Sequence, residues 1–188
     1  MIIDKRLEDL KNYPRATTSY IFTVFEFALE FKPKKILSLG VQNGAFDKTM
    51  LLALKENNSG ILVSVDHKDR STILDAEYQD VKPFWNFIEG NTHDEKTLEN
   101  VKSYLEEGEL FDMLMVDAGH SEDDFRQDMK MYFPLVRKGG IILCHDSVNY
   151  DAGVRNVIPE ITDEKFNIDW GKSRRRDLVP GLCIIKKS

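Results

Sequence analysis

The chain has 188 residues, 41% apolar and 31% charged, which is enough for one domain around one sizeable core and excludes a disordered chain. A formal net charge of -6 argues against broad nucleic-acid binding, which needs a basic face, and leaves room for a small-molecule substrate. No apolar run is long enough to span a membrane, and the charged start MIIDKRLEDLK lacks the apolar stretch of a signal peptide, so the expected location is cytoplasmic.

In chain order, residues 2–12 read as a short polar helix. Thr17, Thr18 and Ser19 offer N-caps for a helix through about Glu30. Tyr20, Val24, Phe27, Ala28 and Phe31 have helical spacing, and Ile21, Phe22 and Phe25 make that helix apolar nearly all round. Such a helix packs on a sheet or on a second copy of the chain, and Pro33 ends it. Lys35 to Leu39 is the first strand. After the loop GVQNG, Ala45 to Glu56 is a helix with Phe46, Met50, Leu51 and Leu54 inward. Ile61 to Val65 is the second strand, closed by Asp66, and residues 67–82 are mixed and partly helical. Phe84 to Ile88 is the third strand, closed by Gly90-Asn91-Thr92-His93. Asp94 to Glu107 is a helix with Leu98, Val101 and Leu105 on one face. Met113 to Val116 is the fourth strand. Ser121 and Asp124 resemble a capping box for a helix that buries Phe125, Met129 and Phe133. Pro134 and Gly139-Gly140 close it before a fifth strand, Ile141 to Cys144. A helix from Gly153 to Ile161 breaks near Pro159. Lys165 to Trp170 and Gly181 to Lys186 are strands joined by a basic loop with Lys172 and Arg174-Arg175-Arg176, read as solvated surface. Strand–helix alternation finished by two looped strands predicts a mainly parallel sheet with one antiparallel strand. Cys144 and Cys183 each lie in a strand-like run and are expected to be reduced.

The chemistry concentrates at strand ends, where open α/β sheets bind ligands. Asp117, His120, His145 and Asp146 follow the fourth and fifth strands and share one rim. Gly40 and Gly44 lie between the first strand and its helix, where glycine lets backbone approach a ligand and the helix offers free N–H groups. Asp66 lies at the right distance to accept hydrogen bonds from ribose hydroxyls. With Asn91 and Asp117 added, four successive strand ends carry polar groups, the pattern of a nucleoside site. His67 and His93 also follow strand ends and are read as structural.

The segments KILSLGVQNGAF, ILVSVDH, FIEGNTHD, FDMLMVDAGHSEDDFRQDMKMYFPLVRKGGIILCHDS and GLCIIKK resemble class I S-adenosylmethionine-dependent methyltransferases over residues 35–188. They are most similar to the small metal-dependent O-methyltransferases grouped with cephalosporin-hydroxylase-like and macrolide-sugar enzymes. The resemblance implies an α/β, Rossmann-like fold with a seven-stranded sheet in the order 3-2-1-4-5-7-6, strand seven antiparallel and helices on both faces. It implies a single domain over 1–188, with an N-terminal helical region over 1–34. Cys144 and Cys183 then lie on neighbouring strands.

Carried over, Gly40 and Gly44 line the methionine end of the cofactor, Asp66 holds the ribose, and Asn91 and Thr92 lie near the adenine. Ser38 stands where the family usually has an acid that helps hold the cofactor's amino-acid part. That departure, with Asn91 where Asp is common, implies either weaker cofactor affinity or a fold retained without catalysis. Asp117 matches the metal ligand after strand four, and His145-Asp146 the ligand pair after strand five, with His145 where Glu is common. A divalent cation such as Mg²⁺ or Mn²⁺ suits the two carboxylates, and the imidazole favours a transition metal. His120 matches the general base of the sugar O-methyltransferases, and its ordinary pKa near 6.5 suits the role. The expected activity is metal-assisted O-methylation of a small hydroxylated substrate. The alternatives are a methyltransferase-fold binding module and an NAD-dependent oxidoreductase, against which the G-x-x-x-G spacing counts.

Overall fold

The computed structural model describes residues 4–12, 20–149, 152–168 and 180–188. The capping residues Thr17, Thr18 and Ser19, and Trp170, Lys172 and Arg174–Arg176 of the basic loop, lie outside them.

Five apolar segments form parallel strands: β1 (Lys35–Leu39), β2 (Ile61–Asp66), β3 (Trp85–Glu89), β4 (Phe111–Val116) and β5 (Val136–His145). Two more complete the sheet, β6 (Glu164–Ile168) and β7 (Leu182–Lys186). The order is β3-β2-β1-β4-β5-β7-β6, with β7 antiparallel to both neighbours. This is the expected seven-stranded arrangement. The strands are apolar on both faces because helices cover both faces. One side carries α1 (Lys5–Lys11), α2 (Ile21–Phe31) and α3 (Ala45–Glu56), packed on Ile36, Leu62, Met113, Met115, Ile141, Leu143, Leu182 and Ile184. The other carries α4 (Glu95–Lys102), α5 (Glu122–Tyr132) and α6 (Val154–Val157), packed on Leu37, Leu39, Val63, Val65, Leu114, Val116, Ile142 and Cys144. Each fully buried aliphatic or aromatic side chain contributes about 1.5–3 kcal/mol to this packing.

Strand alternation decides where the polar groups go. Ser38 shares the Ile36 face and Ser64 the Leu62 face, so both hydroxyls point into the layer under α3. Asn57, just past α3, donates its side-chain amide to the Ala28 and Leu29 carbonyls at 3.2 Å each, which ties α3 to α2. At the opposite edge of the sheet from the rim, Asp112 accepts from Lys34 N (2.7 Å), Lys35 N (3.0 Å) and Arg137 Nε (2.6 Å), joining the starts of β1, β4 and β5.

Several expectations change. The helix expected over 94–107 stops at Lys102, because Tyr104 N and Leu105 N turn back to carbonyls three residues earlier and Tyr104 and Leu105 pack on the core as a tight turn. The fifth strand is longer than 141–144. Gly139-Gly140 lies inside it, next to a register shift against β4, and a Cβ on Gly140 would sit 2.9 Å from the Asp112 carbonyl. In α5 the fully buried positions are Phe125, Asp128 and Tyr132, while Met129 and Phe133 are half-buried. Ser121 caps α5 as expected, accepting from Asp124 N at 3.1 Å. Residues 67–82 hold only a short 3-10 turn at Ala76–Tyr78 and the start of a second. Cys144 and Cys183 are cross-strand neighbours and both are free thiols. No described helix is long and apolar enough to cross a membrane.

Candidate active site

The rim is built where β4 and β5 end side by side. Val116 pairs with Cys144, so Asp117, His145 and Asp146 emerge together. His145 Nδ1 lies 2.9 Å from Asp117 Oδ1 and 3.5 Å from Asp146 Oδ2. His120, from the loop before α5, brings Nε2 to 3.5 Å from Asp117 Oδ1 and 3.4 Å from Asp146 Oδ2. Asp146 takes a φ of +57°, a left-handed backbone unusual for aspartate and most easily accepted in a turn or functional loop. Asn149 Nδ2 holds its Oδ1 at 3.1 Å.

The two imidazoles reach the same two carboxylate oxygens, one from a buried position and one from a half-exposed one. His145 is buried, with its ring edge-on to Phe46 and Tyr20, and its Nε2 has no hydrogen-bond partner among the described residues. His120 is half-exposed. Burial alone would lower the His145 pKa, but the Asp117 and Asp146 charges outweigh it and raise it to about 10. Burial would likewise raise Asp117, but the His145 charge and the bonds from both imidazoles hold it down at about 2. The Asp117 contact is the main cause of a raised pKa at His120. Asp146 is lowered, because His145 outweighs its burial. As it stands, the cluster sets carboxylates with lowered pKa values against imidazoles with raised ones.

Asp117, His120 and Asp146 each offer one ligand atom within 4.8 Å of the others. The two carboxylates, with no lysine or arginine tied to them among the described residues, fit a divalent cation such as Mg²⁺ or Mn²⁺, with the His120 imidazole beside them. His145 reaches the same carboxylates from the buried side and braces Asp117.

The glycine loop lies against this rim. Gly40 has a φ of +86°, and a Cβ there would sit 2.1 Å from the Asp117 carbonyl oxygen. Gly40 N donates to Val65 O at 2.9 Å and Asp117 N to Leu39 O at 2.8 Å, so the main chain fixes loop and rim together. Gly44, φ +77°, is the N-cap of α3. Asp66 is buried under the loop. Its Oδ2 accepts from Val41 N (3.0 Å) and Gln42 N (2.9 Å), and its Oδ1 from Lys68 N (2.9 Å). Burial would raise its pKa, but these N–H bonds outweigh it and keep it ionised. Oδ1 keeps capacity for a hydroxyl donor. Asn91 is exposed and accepts from His93 N at 2.9 Å. Thr92 is buried, and its carbonyl accepts from Tyr132 OH at 2.7 Å. The structure thus places Asn91 at the mouth of the β3 end and turns the Thr92 side chain into the core.

Sequence reasoning missed two buried acids. Asp128 on α5 lies 3.3 Å from His93 Nε2. Asp47 on α3 accepts from Ser64 Oγ (2.5 Å) and Ser38 Oγ (3.4 Å), and Ser64 in turn accepts from Trp85 Nε1 (2.9 Å). A signal for both was available. Positions 47, 50, 51 and 54, and positions 125, 128 and 132, are inward helical stripes, each with one aspartate in it.

The fold has close structural relatives. The O-methyltransferase TomG from Streptomyces achromogenes, involved in tomaymycin synthesis and solved with S-adenosylmethionine, superposes with a TM-score of 0.67 at 18% identity, over 98% of this chain and 91% of its own. The O-methyltransferase from Bacillus cereus, solved with S-adenosylhomocysteine, gives 0.67 at 16% identity, over 100% and 94%. The Podospora anserina methyltransferase PaMTH1, also bound to S-adenosylhomocysteine, gives 0.65 at 16%, over 99% and 89%. No curated protein matches by sequence. The family model described as a methyltransferase domain matches residues 37–147, from β1 through the end of the β5 loop, which is more than half of the chain and spans the glycine loop and the whole rim. With the fold of a class I S-adenosylmethionine-dependent methyltransferase around those residues, the chain belongs to the methyltransferase domain family.

Proposed function

We propose that this protein transfers a methyl group from S-adenosylmethionine to a hydroxyl of a small molecule, with a divalent cation held by Asp117 and Asp146. The observation that carries this reading is the convergence of Asp117, His120 and Asp146 directly beside Gly40. Support for the cofactor comes from family membership and from relatives solved with it. The loop residues fit it: Gly40 and Gly44 bring backbone close, Asp66 Oδ1 has room for a ribose hydroxyl, and Asn91 lies at the neighbouring strand end.

A hydroxyl attacks the methyl carbon in line with the departing sulfur, so positioning contributes much of the rate. A bound cation would supply acidity to the acceptor hydroxyl and fix its orientation. Asp117 and Asp146 would hold it, and His145 keeps Asp117 in place from the buried side. His120 takes the hydroxyl proton on Nε2. A cation that neutralised the two carboxylates would remove the contact that raises the His120 pKa and so favour the neutral, proton-accepting imidazole.

Titration calorimetry with S-adenosylmethionine, with NAD, and with Mg²⁺ or Mn²⁺ tests the reading first. About micromolar binding of S-adenosylmethionine and none of NAD is expected. A screen of small hydroxylated acceptors then follows methyl transfer. Asp117→Ala and Asp146→Ala abolish the metal-stimulated part of turnover, and His120→Gln lowers kcat by about 100-fold or more. Full activity in both aspartate variants would remove the metal from the proposal.

A further inference from the structure

Of the four rim side chains, His120 alone is half-exposed. Asp117, His145 and Asp146 stand where strands end, but His120 lies in the loop before α5. Core packing therefore does little to hold its ring, and the main chain has to do so. The segment after β5 supplies the grip. Asn149 N donates to Asp146 O and Ala152 N to Asn149 O, each at 3.2 Å, and Gly153 N donates to His120 O at 2.8 Å. The chain thus leaves the rim at one carboxylate and returns to hold the main chain of the imidazole that faces it.

Gly153 is fitted to this place by shape. Its φ of -67° suits any residue, yet a Cβ on it would sit 2.1 Å from Glu122 N and 2.5 Å from Glu122 Cα. Only a bare Cα lets the start of α6 approach the first turn of α5 so closely. Side chains keep α6 there. Asn156 Nδ2 donates to Glu122 Oε2 at 3.1 Å, Arg126 bridges Glu122 and Glu160, and Val154 and Val157 are buried in the same apolar layer as Phe125. We propose that Gly153 is a positioning residue for His120: it clamps the His120 main chain where α5 and α6 meet, and so sets the reach of the ring to Asp117 and Asp146. The inference rests on the reading of His120 as proton acceptor. A general base must lie within hydrogen-bond reach of its proton, and a displacement of about 1 Å can cost about 100-fold in rate.

Gly153→Ala tests the clamp, because its Cβ forces α6 and α5 apart by about 1 Å or more to reach van der Waals contact. In a crystal structure of the variant, His120 Nε2 should lose both carboxylates, while the Asp117–His145 pair and the Gly40–Val65 main-chain bond stay as they are. With an acceptor from the screen above, kcat should fall by about 100-fold, and the calorimetric affinity for S-adenosylmethionine should not change. The same substitution in a His120→Gln background should cost nothing further, since Gly153 acts only through that ring. Asn156→Ala removes one tie and adds no atoms, so it keeps the proposal testable if Gly153→Ala folds poorly. It should lower kcat by about threefold in the wild type and not at all in His120→Gln. An unmoved His120 in the Gly153→Ala structure, or equal losses in the two backgrounds, overturns the clamp and leaves the methyltransferase reading intact. Wild-type kcat in His120→Gln overturns the base assignment and the clamp's role with it.

Discussion

Two buried residues, Asp47 and His145, both make stability fall with rising pH, over different windows. Asp47 is an acid raised by burial from an ordinary value near 3.8 to about 7. Its contribution is fully present below the unfolded value and is lost as pH rises through about 7, because the unfolded chain gives up the proton first. Asp47→Asn should therefore leave the melting temperature unchanged near pH 4 and raise it by about 4 °C or more near pH 8, as measured by thermal unfolding. His145 is a base raised from 6.5 to about 10 by two carboxylates that outweigh its burial. Its stabilisation is complete below 6.5 and lost as pH rises through about 10, so metal-free protein should weaken over that window and His145→Gln should flatten the dependence. Asp117, His120, His145 and Asp146 were legible because each follows an apolar run that stops abruptly. Asp47 was hidden because one acid among Phe46, Met50, Leu51 and Leu54 reads as a helix surface residue. Its spacing to Met50, Leu51 and Leu54 is the signal that it points inward, and the facing hydroxyls of Ser38 and Ser64, distant in sequence, receive it there.

Among the elements, those set by local periodicity match the expectation closely, and those set by tertiary contacts do not. β1 and α3 have the expected bounds because Pro33 and the Gly40–Gly44 loop punctuate them. α4 stops early because Tyr104 and Leu105 find core contacts by turning. β5 runs through Gly139-Gly140 because β4 and Lys187 supply the partners: Gly139 N donates to Lys187 O at 2.8 Å. Two substitutions probe this scale. Gly40→Ala adds a Cβ that meets the Asp117 carbonyl at 2.1 Å on a left-handed backbone, so it should lower both thermal stability and cofactor affinity, read by unfolding and calorimetry. Phe125→Ala empties a fully buried site between α5 and the sheet and should cost about 3–5 kcal/mol in denaturant unfolding, with the rim geometry intact.

Over the whole molecule, the succession of strands and the one antiparallel strand at the end were legible from strand–helix alternation finished by two looped strands. The order of the strands in the sheet, with β7 inserted between β5 and β6, came from the resemblance, because nothing in LCIIK states that placement. Deleting residues 182–188 should leave β6 without a partner strand and expose Cys144, read as loss of cooperative unfolding and a newly reactive thiol. In the intact protein burial pushes both thiols up, Cys183 to about 11, which disfavours the reactive thiolate. The contact of Gly40 with Asp117 has a wider meaning. Two main-chain hydrogen bonds, Gly40 to Val65 and Asp117 to Leu39, register the glycine loop against the carboxylate rim without using any side chain. Substitutions in the loop after β5 or in the helices before β1 can therefore reshape the surface around that junction while the backbone keeps the spacing between loop and rim.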